Sequence, residues 1–137
     1  MALRYRVFSD GASRNNPGPA SIGVAVFDAS GAEVATLSEA IGVATNNVAE
    51  YRALVRALDL LEELGAREAD FCLDSELVVR QLTGVYKVKD AKMRVLAAQV
   101  RAGLAKLTDY SICHVPRAQN KRADQLANQA LDAGPRP

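Results

Sequence analysis

The stretch Phe8–Pro19, "FSDGASRNNPGP", reads as the end of a strand that breaks into a polar, proline-containing turn, and Asp10 stands at the break. An aspartate followed by a glycine is common in turns, because its side chain bonds to the nearby backbone. That structural explanation suffices for one Asp-Gly pair. A functional explanation requires that other strand ends and helix starts in the chain also carry carboxylates.

On both sides of this turn, the spacing of apolar residues predicts an α/β domain with the order β-β-β-α-β-α-β-α. The predicted strands are Leu3–Asp10, Ala20–Asp28, Glu33–Ile41, Ala69–Asp74 and Tyr110–Val115. The predicted helices are Asn47–Leu64, Ser75–Leu82, Ala91–Leu107 and Lys121–Ala133. In that order, the single α between the last two strands stands for two consecutive helices, the second and the third. Strands joined by short turns should be antiparallel, and strands reached through helices should be parallel. We therefore expect one domain, residues 1–137, with a mixed five-stranded sheet (three antiparallel strands, then two parallel) flanked by helices.

The amino-acid composition limits the kinds of partner that we expect this chain to bind. The net charge is only +1, so any affinity for nucleic acid must come from local clustering of basic residues. The sequence shows no basic-then-apolar leader and no apolar run near the length of a membrane span. We expect a cytoplasmic protein without a membrane partner, and a monomer.

The residues that bind soft metals are scarce. One histidine and two separated cysteines make a zinc site improbable, so a metal here would be held by oxygen. Cys72 and Cys113 both lie in apolar, strand-like runs, which favours buried reduced thiols, while a disulfide between them stays open.

Two further carboxylates stand at element boundaries, and each has a structural alternative. Asp74 follows an apolar strand and either caps a helix that begins at Ser75 or faces the edge of the sheet. Glu50 either completes a capping box that begins at Asn47 or lies on the core-facing stripe with Leu54.

A fourth acid, Asp124, lies on the inner side of the last helix with Leu131. Acids on inward faces are costly unless they are paired or bind a metal. Asp10 and Asp74 end strands that can be neighbours, and Glu50 and Asp124 start helices over the same edge, where open α/β sheets place their sites. Four converging acids would repel, and divalent cations such as Mg²⁺ or Mn²⁺ would relieve that repulsion.

Four stretches of the chain resemble the type 1 ribonucleases H. They are "DGASRNNPGPASIG" from Asp10, "TNNVAEYRALVRAL" from Thr45, "LDSELVVRQLTGVYKVKD" from Leu73 and "HVPRAQNKRADQLANQA" from His114. They occur in the family's order and cover nearly the whole chain, which makes the match specific. The resemblance implies a ribonuclease H-like fold and a two-Mg²⁺ endoribonuclease acting on the RNA strand of RNA–DNA hybrids. It also implies the metal ligands, Asp10, Glu50, Asp74 and Asp124.

The resemblance also implies contacts that select RNA through its 2′-hydroxyl. It assigns them to backbone near Gly11 and to polar side chains at the helix entrances, which are Asn16, Asn46, Asn47, Ser75 and Glu76. Turn formation and capping are alternative roles for the asparagines. Many family members carry Gln where this chain has Glu76, and an ionised acid cannot donate a hydrogen bond there.

A basic segment follows the second helix. Between Thr83 and Leu107 the chain has six Lys or Arg residues and one acid. Lys87 and Lys89, with Tyr86 as a sugar or stacking contact, favour a surface for the phosphates of the DNA strand. The longer members insert a Trp-rich basic handle here, and this chain has no Trp.

The loop before Asp124 carries a mobile His in longer relatives. His114 is the candidate by raw spacing, but it ends a predicted strand. Arg117 takes the loop position and can hold a phosphate without acting as a base. Both residues stay candidates.

Two other functions stay open on the same fold. One is a non-catalytic hybrid-binding module, which would have no reason to keep four mutually repelling acids. The other is a related nuclease such as a junction resolvase or integrase core. We expect no obligatory protein partner for this chain.

Overall fold

The computed structural model describes residues 4–133, which form a mixed five-stranded sheet flanked by helices. The strands are β1 (Arg4–Ser13), β2 (Gly18–Phe27), β3 (Glu33–Ala44), β4 (Glu68–Leu73) and β5 (Asp109–His114). The helices are α1 (Asn46–Glu63), α2 (Glu76–Leu82), α3 (Ala91–Leu104) and α4 (Lys121–Ala133), with a 3-10 turn at Arg117–Gln119. The spatial order is β3-β2-β1-β4-β5, antiparallel from β3 to β1 and parallel from β1 to β5. The predicted fold is confirmed, and the predicted start of the first strand at Leu3 lies outside the described residues.

The helices cover the sheet from two sides. Helix α1 packs on β1 and β2 and against α3, while α4 packs across β1, β2 and β3. Val7 of β1 and Phe71 of β4, paired across the parallel ladder, are fully buried with Leu54 of α1 in the main core. None of the helices within residues 4–133 combines the length and apolar character needed to cross a bilayer.

Two glycines allow the helices to approach the sheet closely. A Cβ on Gly11 would lie 2.3 Å from backbone atoms of Ala49 and Glu50, and a Cβ on Gly23 would lie 2.2 Å from the carbonyl oxygen of Ala123. Real Cβ atoms do not approach so closely, so any other residue would push α1 or α4 away. These contacts fix the starts of both helices over the centre of the sheet.

The prediction that the first strand ends at Asp10 is wrong. Strand β1 continues to Ser13, because residues 10–13 keep their antiparallel pairing with β2. The parallel pairing with β4 stops at Ser9, opposite Leu73. Asp10 is therefore the first residue of β1 beyond the end of β4, at the edge where the helices begin.

The capping alternatives offered for Asp74 and Glu50 do not hold. Helix α1 is capped by Thr45, whose hydroxyl accepts from the backbone N–H of Val48, so Asn47 does not open a capping box. Helix α2 is capped by Ser75, whose hydroxyl accepts from Val78. The structural explanations for Glu50 and Asp74 are thereby removed.

The two cysteines are neighbours across β4 and β5, with their Sγ atoms 3.9 Å apart and no disulfide. Cys72 is buried as expected, but Cys113 is exposed, and the prediction of two buried thiols is wrong for it. The reason is that β5 is an edge strand, in which every residue except Ile112 is exposed.

Candidate active site

Three carboxylates converge at the edge of the sheet where β4 ends. Asp10 of β1, Glu50 of α1 and Asp74, directly after β4, each place an oxygen within 4.8 Å of the other two. Asp10 is 6% exposed and Glu50 is 7% exposed. Their closeness follows from the fold, since β1 and β4 are adjacent parallel strands and Gly11 brings α1 against β1.

The fourth predicted acid lies at the margin of this cluster. Asp124, in the first turn of α4, lines the same cleft, and its charge contributes to the raised pKa of Asp10. It is not one of the three residues whose oxygens all lie within 4.8 Å. Its nearest cation is Arg117, with Nη2 3.6 Å from Oδ1 of Asp124. The structure thus brings the four predicted acids into one cleft.

The cluster is electrostatically uncompensated. Burial, reinforced by the charges of Asp74 and Asp124, raises the pKa of Asp10 to about 7 against the opposing effect of a hydrogen bond with Glu50. Burial and the neighbouring Asp10 charge raise the pKa of Glu50 well above its ordinary value. Within residues 4–133, no Lys or Arg forms a salt bridge with Asp10, Glu50 or Asp74.

The donor atoms fit a hard divalent cation. All are carboxylate oxygens, which Mg²⁺ and Mn²⁺ prefer, and Oε2 of Glu50 is buried with no hydrogen-bond partner in the described chain. A buried acceptor without a partner is unfavourable unless something else satisfies it. The residues present therefore fit a metal centre.

The asparagines at the entrance of α1 join this helix to β1 and the turn after it. Oδ1 of Asn46 accepts from the backbone of Ser13 at 2.8 Å, and Oδ1 of Asn16 accepts from the backbone of Asn46 at 2.9 Å. Asn46 and Asn47 line the acidic cleft, while Asn16 lies in an adjoining groove with Asn47 and Lys92. The amide NH₂ groups of Asn16 and Asn46 are not used in these bonds.

The remaining predicted contacts near the acids separate into two groups. Gly11 and Ser75 line the cleft. Glu76 is exposed one residue farther on, and its Oε1 accepts from Nε of Arg80 at 2.8 Å. In this conformation the carboxylate of Glu76 is paired within its own helix, α2.

The basic segment forms a second groove. Tyr86, Lys87 and Lys89 line it together with Arg94 and Arg101 of α3. The ring of Tyr86 lies 5.6 Å from the guanidinium carbon of Arg80, a cation–π distance. The other two basic residues of the segment lie elsewhere: Lys92 borders the groove with Asn16, and Lys106 pairs with Glu62 on the far side.

The two candidates for the loop role lie in different places. Arg117 begins the 3-10 turn, lines the cleft and is 81% exposed on its side chain. His114 is the last residue of β5, opposite Leu73, and is not among the residues that line the cleft.

Sequence reasoning did not single out three polar residues of the cleft, Ser13, Arg14 and Asn128. Asn128 lies four residues after Asp124, so helical spacing could have placed it on the same face. Arg14 forms an ion pair with Asp132 of α4. No local pattern marks Arg14, because it lies in a turn whose direction depends on the β1–β2 pairing.

Comparison with known proteins identifies a set of close relatives. A family model described as reverse transcriptase-like matches residues 8–130. Ribonuclease HI of Halobacterium salinarum is 46% identical over 129 residues, which are 94% of this chain and 65% of the relative. The bifunctional protein Rv2228c of Mycobacterium tuberculosis is 48% identical over 132 residues, which are 96% of this chain and 36% of the relative. The chain thus spans less than two thirds of these relatives.

Solved structures match over their whole length. The crystal structure of RNase H1 from Halobacterium salinarum superposes with a TM-score of 0.93 at 45% identity, over 96% of this chain and 99% of that one. LC11-RNase H1, solved in complex with an RNA/DNA hybrid, superposes with a TM-score of 0.90 at 41% identity, over 94% and 97%. At these identities the two structures are similar to this chain in sequence as well as in fold.

Proposed function

This chain belongs to the ribonuclease H1 family, and we propose that it is a metal-dependent endoribonuclease that hydrolyses the RNA strand of RNA–DNA hybrids. The observation that carries the proposal is the buried cluster of Asp10, Glu50 and Asp74, whose oxygens lie within 4.8 Å of one another. Such a cluster destabilises the metal-free protein, and cations bound at a catalytic centre would offset the repulsion among its carboxylates. The halobacterial ribonuclease HI and the hybrid complex of LC11-RNase H1 support the substrate.

The cofactor follows from the donor set. Asp10, Glu50, Asp74 and Asp124 would hold two Mg²⁺ ions, or Mn²⁺. When bound, such ions stabilise the charge that develops on the attacking and departing oxygens of the phosphodiester. The chain itself fixes Asp10 on β1 and Asp74 directly after the adjacent β4, and it leaves Oε2 of Glu50 buried without a hydrogen-bond partner.

The chemical nature of the two product ends depends on which phosphorus–oxygen bond of the phosphodiester breaks. A water oxygen attacks phosphorus, the bond from phosphorus to the 3′ oxygen breaks, and the departing oxygen takes up a proton. The ends are therefore a 5′-phosphate and a 3′-hydroxyl. Arg117 is placed to hold a phosphate, since its guanidinium is exposed beside Asp124. His114 stays the alternative for the loop role.

Recognition of the RNA strand requires contacts to 2′-hydroxyls in the minor groove. We assign these to the backbone of Gly11 and to polar side chains that border the cleft or adjoin it, which are Asn16, Asn46, Asn47, Ser75 and Glu76. The amide NH₂ groups of Asn16 and Asn46 support this, because their bonds within the protein use only Oδ1. Glu76 would have to leave Arg80 to take part.

The DNA strand would lie along the second groove. Lys87 and Lys89 would neutralise its phosphates, and Tyr86 would contact a sugar. Arg94 and Arg101 add positive charge to the same groove. A monomeric, cytoplasmic protein stays a prediction.

Cleavage assays decide among the three candidate functions. Purified protein should cleave the RNA strand of a labelled hybrid with Mg²⁺ present, fail when EDTA replaces Mg²⁺, and leave a four-way DNA junction intact. Binding of the hybrid without cleavage at any Mg²⁺ or Mn²⁺ concentration would identify a binding module. Cleavage of the junction in preference to the hybrid would identify a resolvase-like nuclease.

A further inference from the structure

Asn120 is a buried amide that joins two of the acid-bearing elements. It stands directly before α4 and is 1% exposed. Its Nδ2 donates to the backbone carbonyl of Ser9 at 2.9 Å. Ser9 is itself fully buried and immediately precedes Asp10. One side chain thus connects the start of α4 to the segment of β1 that carries a central acid.

The backbone of Asn120 extends this link in both directions. Its carbonyl accepts from the N–H of Asp124 at 3.1 Å, and its N–H donates to the carbonyl of Arg117 at 2.9 Å. The turn that carries Arg117 and the helical turn that carries Asp124 therefore meet at this residue. A displacement of Asn120 would move both side chains relative to Asp10.

The amide is not what burial alone would favour at this position. Oδ1 of Asn120 is buried with no hydrogen-bond partner in the described chain. An unsatisfied buried acceptor is unfavourable, so a smaller or apolar residue would avoid that cost. Other hydrogen bonds already join α4 to the sheet farther along, where the hydroxyls of Ser21 and Ser38 donate to carbonyls of Ala127 and Leu126. Asn120 supplies the bond at the helix start, beside the acids.

We propose that Asn120 is a positioning residue that sets the place of Asp124 and Arg117 relative to Asp10, and so tunes the metal centre without contacting substrate. This inference rests on the proposed function of the cleft. Asn120→Ala removes the donor and frees the helix start. Small displacements of a positioned group are costly to catalysis, because the geometry must be held before the reaction begins.

The test compares Asn120→Ala with Ser38→Ala, which also removes a hydrogen bond from the sheet to α4, but from β3, two strands away from the acid-bearing β1. Hybrid cleavage and Mg²⁺ binding without substrate (by calorimetry) are both measured at a temperature where both variants are folded. For Asn120→Ala we expect kcat to fall about tenfold, KM to stay within about twofold and the Mg²⁺ concentration for half-saturation to rise several-fold. Ser38→Ala should lower only the melting temperature.

Wild-type kcat and Mg²⁺ affinity in Asn120→Ala would overturn the inference, as would equal losses in Ser38→Ala. If the alanine variant does not fold, Asn120→Val removes the donor while filling more of the side-chain volume, and it should show the same fall in kcat. Wild-type protein assayed in parallel separates the two proposals: a wild type that does not cleave hybrids refutes the proposed function, whereas an active wild type with unaffected Asn120 variants refutes only the positioning role.

Discussion

Asp10 and Glu50 place carboxylate oxygens within 4.8 Å of each other, both residues are almost fully buried, and no Lys or Arg of the described chain forms a salt bridge with either. The arrangement keeps a proton in the folded apo protein near neutral pH, because burial and the nearby charges of Asp74 and Asp124 raise the pKa of Asp10 to about 7. A site built in this way stores unfavourable free energy that a bound cation can release.

The first prediction concerns the stability of the metal-free protein. A raised pKa in the folded state means that the native protein binds this proton more tightly than the unfolded chain does. The resulting stabilisation is fully present below about pH 4 and is lost as pH rises through about 7. Asn cannot ionise, so Asp10→Asn should be more stable than wild type by roughly 2–4 kcal/mol above pH 7, and the difference should shrink toward pH 4.

Urea denaturation in EDTA at a series of pH values measures this difference. Saturating Mg²⁺ should close the gap above pH 7 by stabilising the wild type selectively. A wild type as stable as Asp10→Asn at pH 8 in EDTA would mean that the cluster is not strained.

The fold and most of the acid cluster could be predicted from the sequence, because they depend on the residue types within short stretches of the chain. Apolar spacing distinguishes strands from helices, and acids at boundaries stand out against it. The end of β1 could not be predicted, since its extension to Ser13 is set by pairing with β2. Local residue types also did not show that Ser75, rather than Asp74, caps α2. Asn120 was missed because a single asparagine in a polar loop gives no sign that it will be buried.

The second prediction concerns the second groove, which Tyr86, Lys87 and Lys89 line. Lys87→Ala and Lys89→Ala should each weaken hybrid binding and reduce the slope of log affinity against log salt by about 1, because each removes one phosphate contact. Lys106→Ala is the matched control, since Lys106 pairs with Glu62 and lines neither the acidic cleft nor either of the two grooves described above. Filter binding at several salt concentrations, in Ca²⁺ to prevent cleavage, supplies the slopes. Equal slopes for all three variants would remove the groove from the substrate path.

The third prediction separates Arg117 from His114. Arg117→Ala should lower the rate of hybrid cleavage about tenfold or more without changing the shape of its pH profile, because a guanidinium does not titrate in this range. His114→Ala should leave both the rate and the profile unchanged, since His114 ends β5 outside the cleft lining. Loss of a limb near pH 6–7 in His114→Ala would instead assign the proton-transfer role to the histidine.

The central claim is that the buried carboxylates form the metal centre that cleaves the RNA strand. The most direct test is single-turnover cleavage of a labelled RNA–DNA hybrid by wild type and Asp10→Asn at saturating Mg²⁺, with Ser38→Ala as a folded control. We predict that wild type and Ser38→Ala cleave the RNA strand and that Asp10→Asn is slower by at least about three orders of magnitude, since it removes a central ligand. Cleavage by Asp10→Asn at the wild-type rate would contradict the account.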